Sequence, residues 1–255
     1  MEGCPRRKIV VIKLGGSVFL NDASYREAAR FLIRRSHKCA DEKFVVVVSA
    51  LSGHTDGLER LARDITSSPN PRTLDLLWST GELRSVALLT LHLEGLGVPA
   101  AGLNVHETGL RWSASNQGEA DLDTLSAELQ RTLYDYSIAI VPGFFATLAN
   151  GTMVSLGRGG SDLTAVLLAV ELEAKQCELI KDVPGYFTED PNTTKTARHL
   201  PALSYQEALS MAKAGCNLVQ ARALEEARAA GLRLIVRSLR DGEPGSIVSE
   251  ELVGA

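Results

Sequence analysis

Residues 9–14 read Ile-Val-Val-Ile-Lys-Leu and run directly into Gly15-Gly16-Ser17. A β-branched apolar run of this length is a strand covered on both faces, the environment of strands in a parallel sheet. Covering a sheet takes helices, and residues 21–38 supply one. Asn21 and Asp22 are cap-forming residues, and Ala28, Ala29, Phe31, Leu32 and Ile33 return at helical spacing to make the face that packs on the sheet. Residues 44–48 form a second buried strand, with a polar loop over 49–56 at its carboxyl end. The fold class that follows is α/β. Lys13 stands out within the first strand. An ammonium is costly to bury without an anion, whereas the carboxyl end of such a strand faces the crevice in which α/β proteins bind ligands. Snorkelling to solvent is the plain alternative. The glycine pair immediately behind favours contact with a phosphate, although the spacing matches neither a Walker loop nor Gly-x-Gly-x-x-Gly.

Residues 74–96 form a long helical segment interrupted by Ser79-Thr80-Gly81-Glu82, and residues 98–105 another strand. Glu82 either complements a helix dipole or holds a ligand ammonium. Residues 107–123 are polar and read as a surface excursion or lid. A short helix over 122–133 precedes a strand over 137–141 that ends in Pro142-Gly143-Phe144, and Asn150-Gly151 marks a hairpin within residues 145–155. The hairpin delivers the chain to Ser155-Leu156-Gly157-Arg158-Gly159-Gly160-Ser161-Asp162. Three glycines, one arginine and a following apolar helix are the layout of an anion site, in which Arg158 can fork onto a carboxylate. Ser161 or Asp162 can equally serve as no more than a helix cap. A strand over 177–180 opens onto a loop holding Lys181, Asp182 and Tyr186. There Tyr186 can stack on a base and Asp182 can meet ribose hydroxyls or a metal, while the Pro-Gly and Asp-Pro pairs are ordinary turn residues. Helices over 204–213 and 220–230, a strand over 232–236 and a turn-rich end complete a single domain. His54 reads as a solvent-facing loop residue.

A net charge of −4 with no long basic run, and only 5% aromatic residues, argue against nucleic acid and against a polybasic membrane contact. Four scattered cysteines without Cys-x-x-Cys spacing suit a reducing compartment, and the broken apolar segment near the N-terminus is too short for a signal peptide. The expectation is a cytoplasmic protein with no membrane span.

Gly15-Gly16, the run from Val47 to Gly53, Ser79-Thr80-Gly81-Glu82 and the Leu156-to-Ala165 turn occur in the order seen in aspartate kinases, and Lys181 to Pro191 and Ala221-Arg222-Ala223-Leu224 continue the match. The chain resembles the catalytic domain of that group within the amino acid kinase superfamily. The resemblance implies a three-layer α/β/α sandwich with a mainly parallel sheet. It implies one domain over 1–255, with an acceptor lobe over about 1–160 and a nucleotide lobe over about 161–255. The implied reaction moves the γ-phosphoryl of ATP, with Mg²⁺ bridging the phosphates, to a carboxylate, most simply that of L-aspartate. Carried over by motif, Arg158 binds the acceptor's α-carboxylate and Glu82 its ammonium, with Thr55, Phe144 and Ser161 lining the same site. Lys13, Gly15, Gly16 and Ser17 stabilise the transferring phosphoryl, Asp162 lies beside the reacting groups, and Asp182 and Tyr186 line the nucleotide pocket.

Two departures stand beside the match. The first loop is one residue shorter than Lys-Phe-Gly-Gly-Thr-Ser-Val, which leaves room for a different small carboxylate or phosphate acceptor. The second phosphate-binding lysine of the family aligns with Asn217, and Lys181 stands where a threonine is usual, so Lys181 is expected to supply the missing charge. A non-catalytic protein that binds nucleotide or oxyanion is the alternative, though it has no need of an amino-acid clamp. The resemblance also implies a homodimer and, because the chain stops where regulatory domains usually begin, no feedback control by an end-product amino acid.

Overall fold

A computed structural model describes residues 8–39, 41–112, 127–240 and 245–250. In chain order the elements are β1 (Lys8–Leu14), α1 (Asp22–Lys38), β2 (Glu42–Val48), α2 (His54–Ile65), α3 (Pro71–Gly95), β3 (Ala100–Gly102), α4 (Val105–Thr108) and α5 (Ala127–Asp135). Then come β4 (Ile138–Pro142), β5 (Phe145–Thr147), β6 (Met153–Ser155), α6 (Gly160–Glu171), β7 (Gln176–Ile180), β8 (Tyr186–Phe187), β9 (His199–Leu200) and β10 (Ala202–Leu203). The chain closes with α7 (Tyr205–Lys213), α8 (Ala221–Ala229), β11 (Leu234–Arg237) and β12 (Ser246–Val248).

Eight strands form one sheet in the order β10-β12-β11-β7-β1-β2-β4-β3. Every pairing in it is parallel except β11 with β12, so the expected mainly parallel sheet is present. Apolar helices cover both faces. Even-numbered residues of β1 and β2 (Val10, Ile12, Leu14, Val46, Val48) meet Phe31 and Leu32 of α1 and Leu89 and Leu93 of α3. The intervening Val11, Val45 and Val47 meet Leu163, Val166 and Leu167 of α6. This two-sided burial explains runs with no polar alternation. Lys13 has the phase of Val11 and therefore faces α6. By the same alternation, Glu178 has the phase of Ile180 and faces α1, where Arg35 lies 2.9 Å from its carboxylate.

The register lines up the carboxyl ends. Leu14 pairs with Val48 on one side and with Ile180 on the other, and Val48 pairs with Pro142. The loops after β1, β2, β4 and β7 thus emerge along one rim. From β1 the chain works outward through β2 and β4, then returns to add β7 on the opposite side of β1. The seam between β1 and β7 is the place where α/β sheets open a crevice for ligands.

Several expectations are corrected. The segment Ser79-Thr80-Gly81-Glu82 does not interrupt its helix, since α3 is continuous from Pro71 to Gly95. Gly81 is there for close approach: a Cβ on it would stand 2.9 Å from both Ala50 Cβ and His54 Cδ2. His54 is accordingly the first residue of α2, not part of a free loop. The strand expected over 98–105 shrinks to three residues, because Asn104 caps α4 with Glu107 completing a capping box. The Asn150-Gly151 hairpin is present as β5 and β6, with Gly151 at φ 79°. The turn-rich end contributes β12, paired antiparallel to β11. Of the polar excursion over 107–123 and the helix begun at 122, residues 113–126 lie outside the described residues.

Candidate active site

The turn before α6 is built from left-handed glycines, with Gly157 and Gly159 both at φ 78°, a conformation that side chains resist. Gly159 is the cap and brings no side-chain hydrogen bond. Ser161 and Asp162, in the first turn, are therefore not capping residues. Asp162 is 4% exposed and reaches back into the seam between β1 and β7. Its Oδ1 lies 2.7 Å from Lys13 Nζ, and Lys181 Nζ donates to Oδ2 at 2.8 Å and to Oδ1 at 3.0 Å. The Gln220 backbone N–H adds a contact to Oδ2 at 3.3 Å.

Alternation explains the convergence. Lys13 follows Val11 on the α6 side of β1, and Lys181 continues the phase of Cys177 and Leu179 on β7, which also face α6. Burial alone would raise the Asp162 pKa, but Lys13 and then Lys181 overcome it and hold the carboxyl well below its usual range. Burial pushes the Lys13 ammonium down to about 8; Asp162 opposes that fall and Lys181 adds to it. Gly15 makes room for this ammonium, since a Cβ there would stand 2.8 Å from Lys13 Nζ.

Two cavities open at residues of the sheet's carboxyl rim. The first, of about 610 Å³, is lined by Lys13, Gly16 and Ser17 on one side, and on the others by Thr55, Trp78, Glu82, Phe144, Arg158 and Ser161. Arg158 is exposed at its rim. Glu82 is 3% exposed and accepts the Ala50 N–H at 3.3 Å through Oε1, while Oε2 is buried without a hydrogen-bond partner. Burial drives its pKa up to about 7. Phe144 adopts φ 72°, unusual for a bulky residue. Its N–H donates to Thr164 Oγ1 at 3.1 Å, and its carbonyl accepts the Leu156 N–H at 2.8 Å.

The second cavity, of about 570 Å³, is lined by Asp182, Gly185, Phe187, Pro191 and Asn217 among others. Tyr186 does not stand on its wall. The ring is 1% exposed and packs in the core beneath α6, because in the two-residue β8 Tyr186 points inward and Phe187 outward. The aromatic side chain available to a ligand here is Phe187. Lys13 is the member of the cluster that lines the first cavity, and Lys181 directly precedes Asp182, which lines the second.

Sequence reasoning missed Trp78, which reads as one more apolar position on a helix, and the Gln220 amide, whose contact with Asp162 spans 58 residues. The first had a usable signal, since Trp78 precedes Glu82 by one helical turn.

Comparison with known proteins adds to this geometry. The aspartokinase of Geobacillus stearothermophilus is 37% identical over 244 residues, which cover 96% of this chain and 60% of that protein. Aspartokinase 2 of Bacillus subtilis is also 37% identical, over 95% of this chain and 59% of its own length. The chain thus spans about 60% of the length of these curated relatives. Among solved structures, E. coli aspartokinase III in complex with aspartate and ADP superposes with a TM-score of 0.79 at 26% identity, covering 96% of this chain and 65% of that one. The profile of the amino acid kinase family matches residues 8–238. This chain belongs to the amino acid kinase family.

Proposed function

We propose that the chain transfers the γ-phosphoryl group of ATP to the side-chain carboxylate of a small amino acid, L-aspartate, giving 4-phospho-L-aspartate. The observation that carries this reading is the Lys13–Asp162–Lys181 cluster, whose Lys13 lines a cavity that also holds a buried carboxylate, Glu82, and an exposed arginine, Arg158. The aspartokinase relatives, and the aspartate and ADP bound by the E. coli protein, support the same assignment.

In this reading residues up to about 160 form the acceptor lobe and the remainder the nucleotide lobe. Arg158 pairs with the α-carboxylate of the acceptor, and Glu82 takes its ammonium on the unpartnered Oε2. Held at both ends, the amino acid presents its side-chain carboxylate toward Lys13, so that attack on the γ-phosphorus becomes a positioned, effectively unimolecular event. The carboxylate oxygen forms the new bond to phosphorus as the bond to the β–γ bridging oxygen breaks, and ADP carries away the electron pair. No protein nucleophile is needed. The work is electrostatic: Lys13, the Gly15, Gly16 and Ser17 amides and Lys181 face the charge on the transferring group. Asp162 holds both ammoniums in place while leaving the three groups with one net positive charge. Lys181 thereby stands in for the cation absent at Asn217.

The second cavity takes the nucleotide, with Phe187 and Gly185 on its wall. Magnesium binds through phosphates and one or two carboxylates and keeps much of its water. The exposed Asp182 on this wall is a carboxylate of that kind, and Mg²⁺ would offset the phosphate charge there. Incubating the protein with ATP, Mg²⁺ and a panel of small acids, with hydroxylamine to trap any acyl phosphate, tests the reading. Hydroxamate from L-aspartate is expected, and none from any amino acid would refute it.

A further inference from the structure

Trp78 and Glu82 lie four residues apart on α3 and both line the first cavity. Side chains at that spacing are surface neighbours on a helix, so the indole and the carboxylate share one strip of wall. On its other flank the indole tilts at 57° against Phe144, with 6.0 Å between ring centroids. Phe144 is fixed in turn. Its left-handed backbone is held by the Thr164 and Leu156 hydrogen bonds, and its ring stands edge-on to Phe145 at 4.9 Å. A large planar side chain is thereby wedged between a strained, anchored phenyl ring and the buried carboxylate. The Trp78 indole N–H is buried without a hydrogen-bond partner, as is Glu82 Oε2. The carboxylate oxygen is an acceptor that a ligand ammonium would satisfy, whereas the indole N–H is a donor and would take an acceptor oxygen.

We propose that Trp78 is a specificity-determining residue for the acceptor, its indole closing the recess around Glu82 so that only an unsubstituted primary ammonium on a short amino acid fits there. The inference rests on the reading of this cavity as the amino-acid site and adds what limits the acceptor. An aromatic face beside a carboxylate suits an ammonium twice over, through the ion pair and through the ring quadrupole. In the proposed pose the same face occupies the space that a substituent on the nitrogen would need.

The test compares kcat/KM for L-aspartate and N-methyl-L-aspartate in the parent, Trp78→Leu and Trp78→Phe. Trp78→Leu should narrow the preference for L-aspartate by about tenfold or more, as expected when bulk is removed from a pocket wall, and Trp78→Phe should keep most of it. A parent that phosphorylates L-aspartate with a preference unchanged in Trp78→Leu overturns the role of Trp78 and leaves the kinase reading intact. A second readout needs no turnover and no folded Trp78 variant. The chain has two tryptophans, so in Trp112→Phe the emission comes from Trp78 alone. Saturable change of that emission with L-aspartate, and none with N-methyl-L-aspartate, supports the proposal. Emission indifferent to both overturns it, even where no acyl phosphate forms and the kinase reading itself has failed.

Discussion

The Lys181 ammonium lies 2.8 Å from Oδ2 of Asp162, the same carboxylate whose Oδ1 is 2.7 Å from the Lys13 ammonium. Both lysines stand at the carboxyl ends of neighbouring parallel strands, in the phase that faces α6, and Asp162 sits in the first turn of that helix. Two cations from the sheet and one anion from the helix meet where β1 and β7 diverge. Asp162 therefore supplies a counter-charge to both Lys181 and Lys13, which keeps two like charges together in a buried crevice.

If Lys181 supplies the charge missing at Asn217, Lys181→Met should lower kcat by about 10²- to 10³-fold, the scale seen when one transition-state donor is removed. KM for L-aspartate should move little if, as proposed, Arg158 and Glu82 hold the acceptor. Adding Asn217→Lys to Lys181→Met should recover part of the loss. Steady-state kinetics on the three proteins decide it, and unchanged turnover in Lys181→Met removes that lysine from the mechanism.

Asp162→Asn leaves two ammoniums facing each other without their anion, and breaking a buried pair in this way costs about 3–5 kcal/mol. The folded-state pKa of Asp162 is depressed, so its stabilisation is present above the ordinary carboxyl range and is lost only as pH falls through and below that range. The variant has a different pH signature. Lys13 is already pushed down to about 8 with Asp162 present, and without that carboxylate it gives up its proton more easily still. Urea unfolding should show a large stability deficit at pH 6.5 that shrinks by pH 9. A deficit equal at both would contradict the two-lysine account.

Much of this was legible because burial on both sheet faces writes itself into sequence. The β-branched runs at 9–14 and 44–48 have no other comfortable environment, and a lysine at the end of one of them is conspicuous. Gly81 misled for a physical reason: glycine lowers helix propensity by about 1 kcal/mol, but here it is retained so that α3 can approach Ala50 and His54. In β8, two residues are too few to reveal which of Tyr186 and Phe187 points inward. The meeting of Lys181 with Asp162 could be anticipated only as a charge needing a place, since the fold brings together residues 19 apart through a helix and a strand.

Glu82→Gln separates binding from stability. Burial raises the Glu82 pKa to about 7, so the carboxylate proposed to hold the acceptor's ammonium is half-protonated near neutrality. KM for L-aspartate in the parent should rise as pH drops from 8 to 6, and Gln should give a high KM with little pH dependence in that range. The stability effect has the opposite sense. A raised folded pKa favours the fold below the unfolded value, and that contribution is lost as pH rises through about 7. Glu82→Gln should therefore stabilise the protein at pH 8, by up to about 3 kcal/mol, and by much less at pH 5. Thermal unfolding at the two pH values checks the sign.

Gly15→Ala and Gly143→Ala place the same methyl group against different neighbours. At Gly15 the Cβ would meet Lys13 Nζ at 2.8 Å, with the Ile180 carbonyl oxygen farther off at 3.6 Å. The end of a lysine side chain can move aside, so stability should change by no more than about 1 kcal/mol. What moves, however, is the ammonium proposed to face the transferring phosphoryl, and a misplacement of about 1 Å can cost about 10²-fold in rate. At Gly143 the Cβ would meet Ser161 Cβ and Oγ at 2.8 Å and Val47 Cγ1 at 3.0 Å, atoms of a packed helix start and a core strand. Overpacking there should cost about 1–3 kcal/mol. Denaturant midpoints and kcat on the two variants should thus split, with Gly15→Ala stable and slow and Gly143→Ala destabilised. A Gly15→Ala protein that keeps its turnover but unfolds early would reassign Gly15 from the phosphate site to packing, and Lys13 would lose the clearance on which its placement depends.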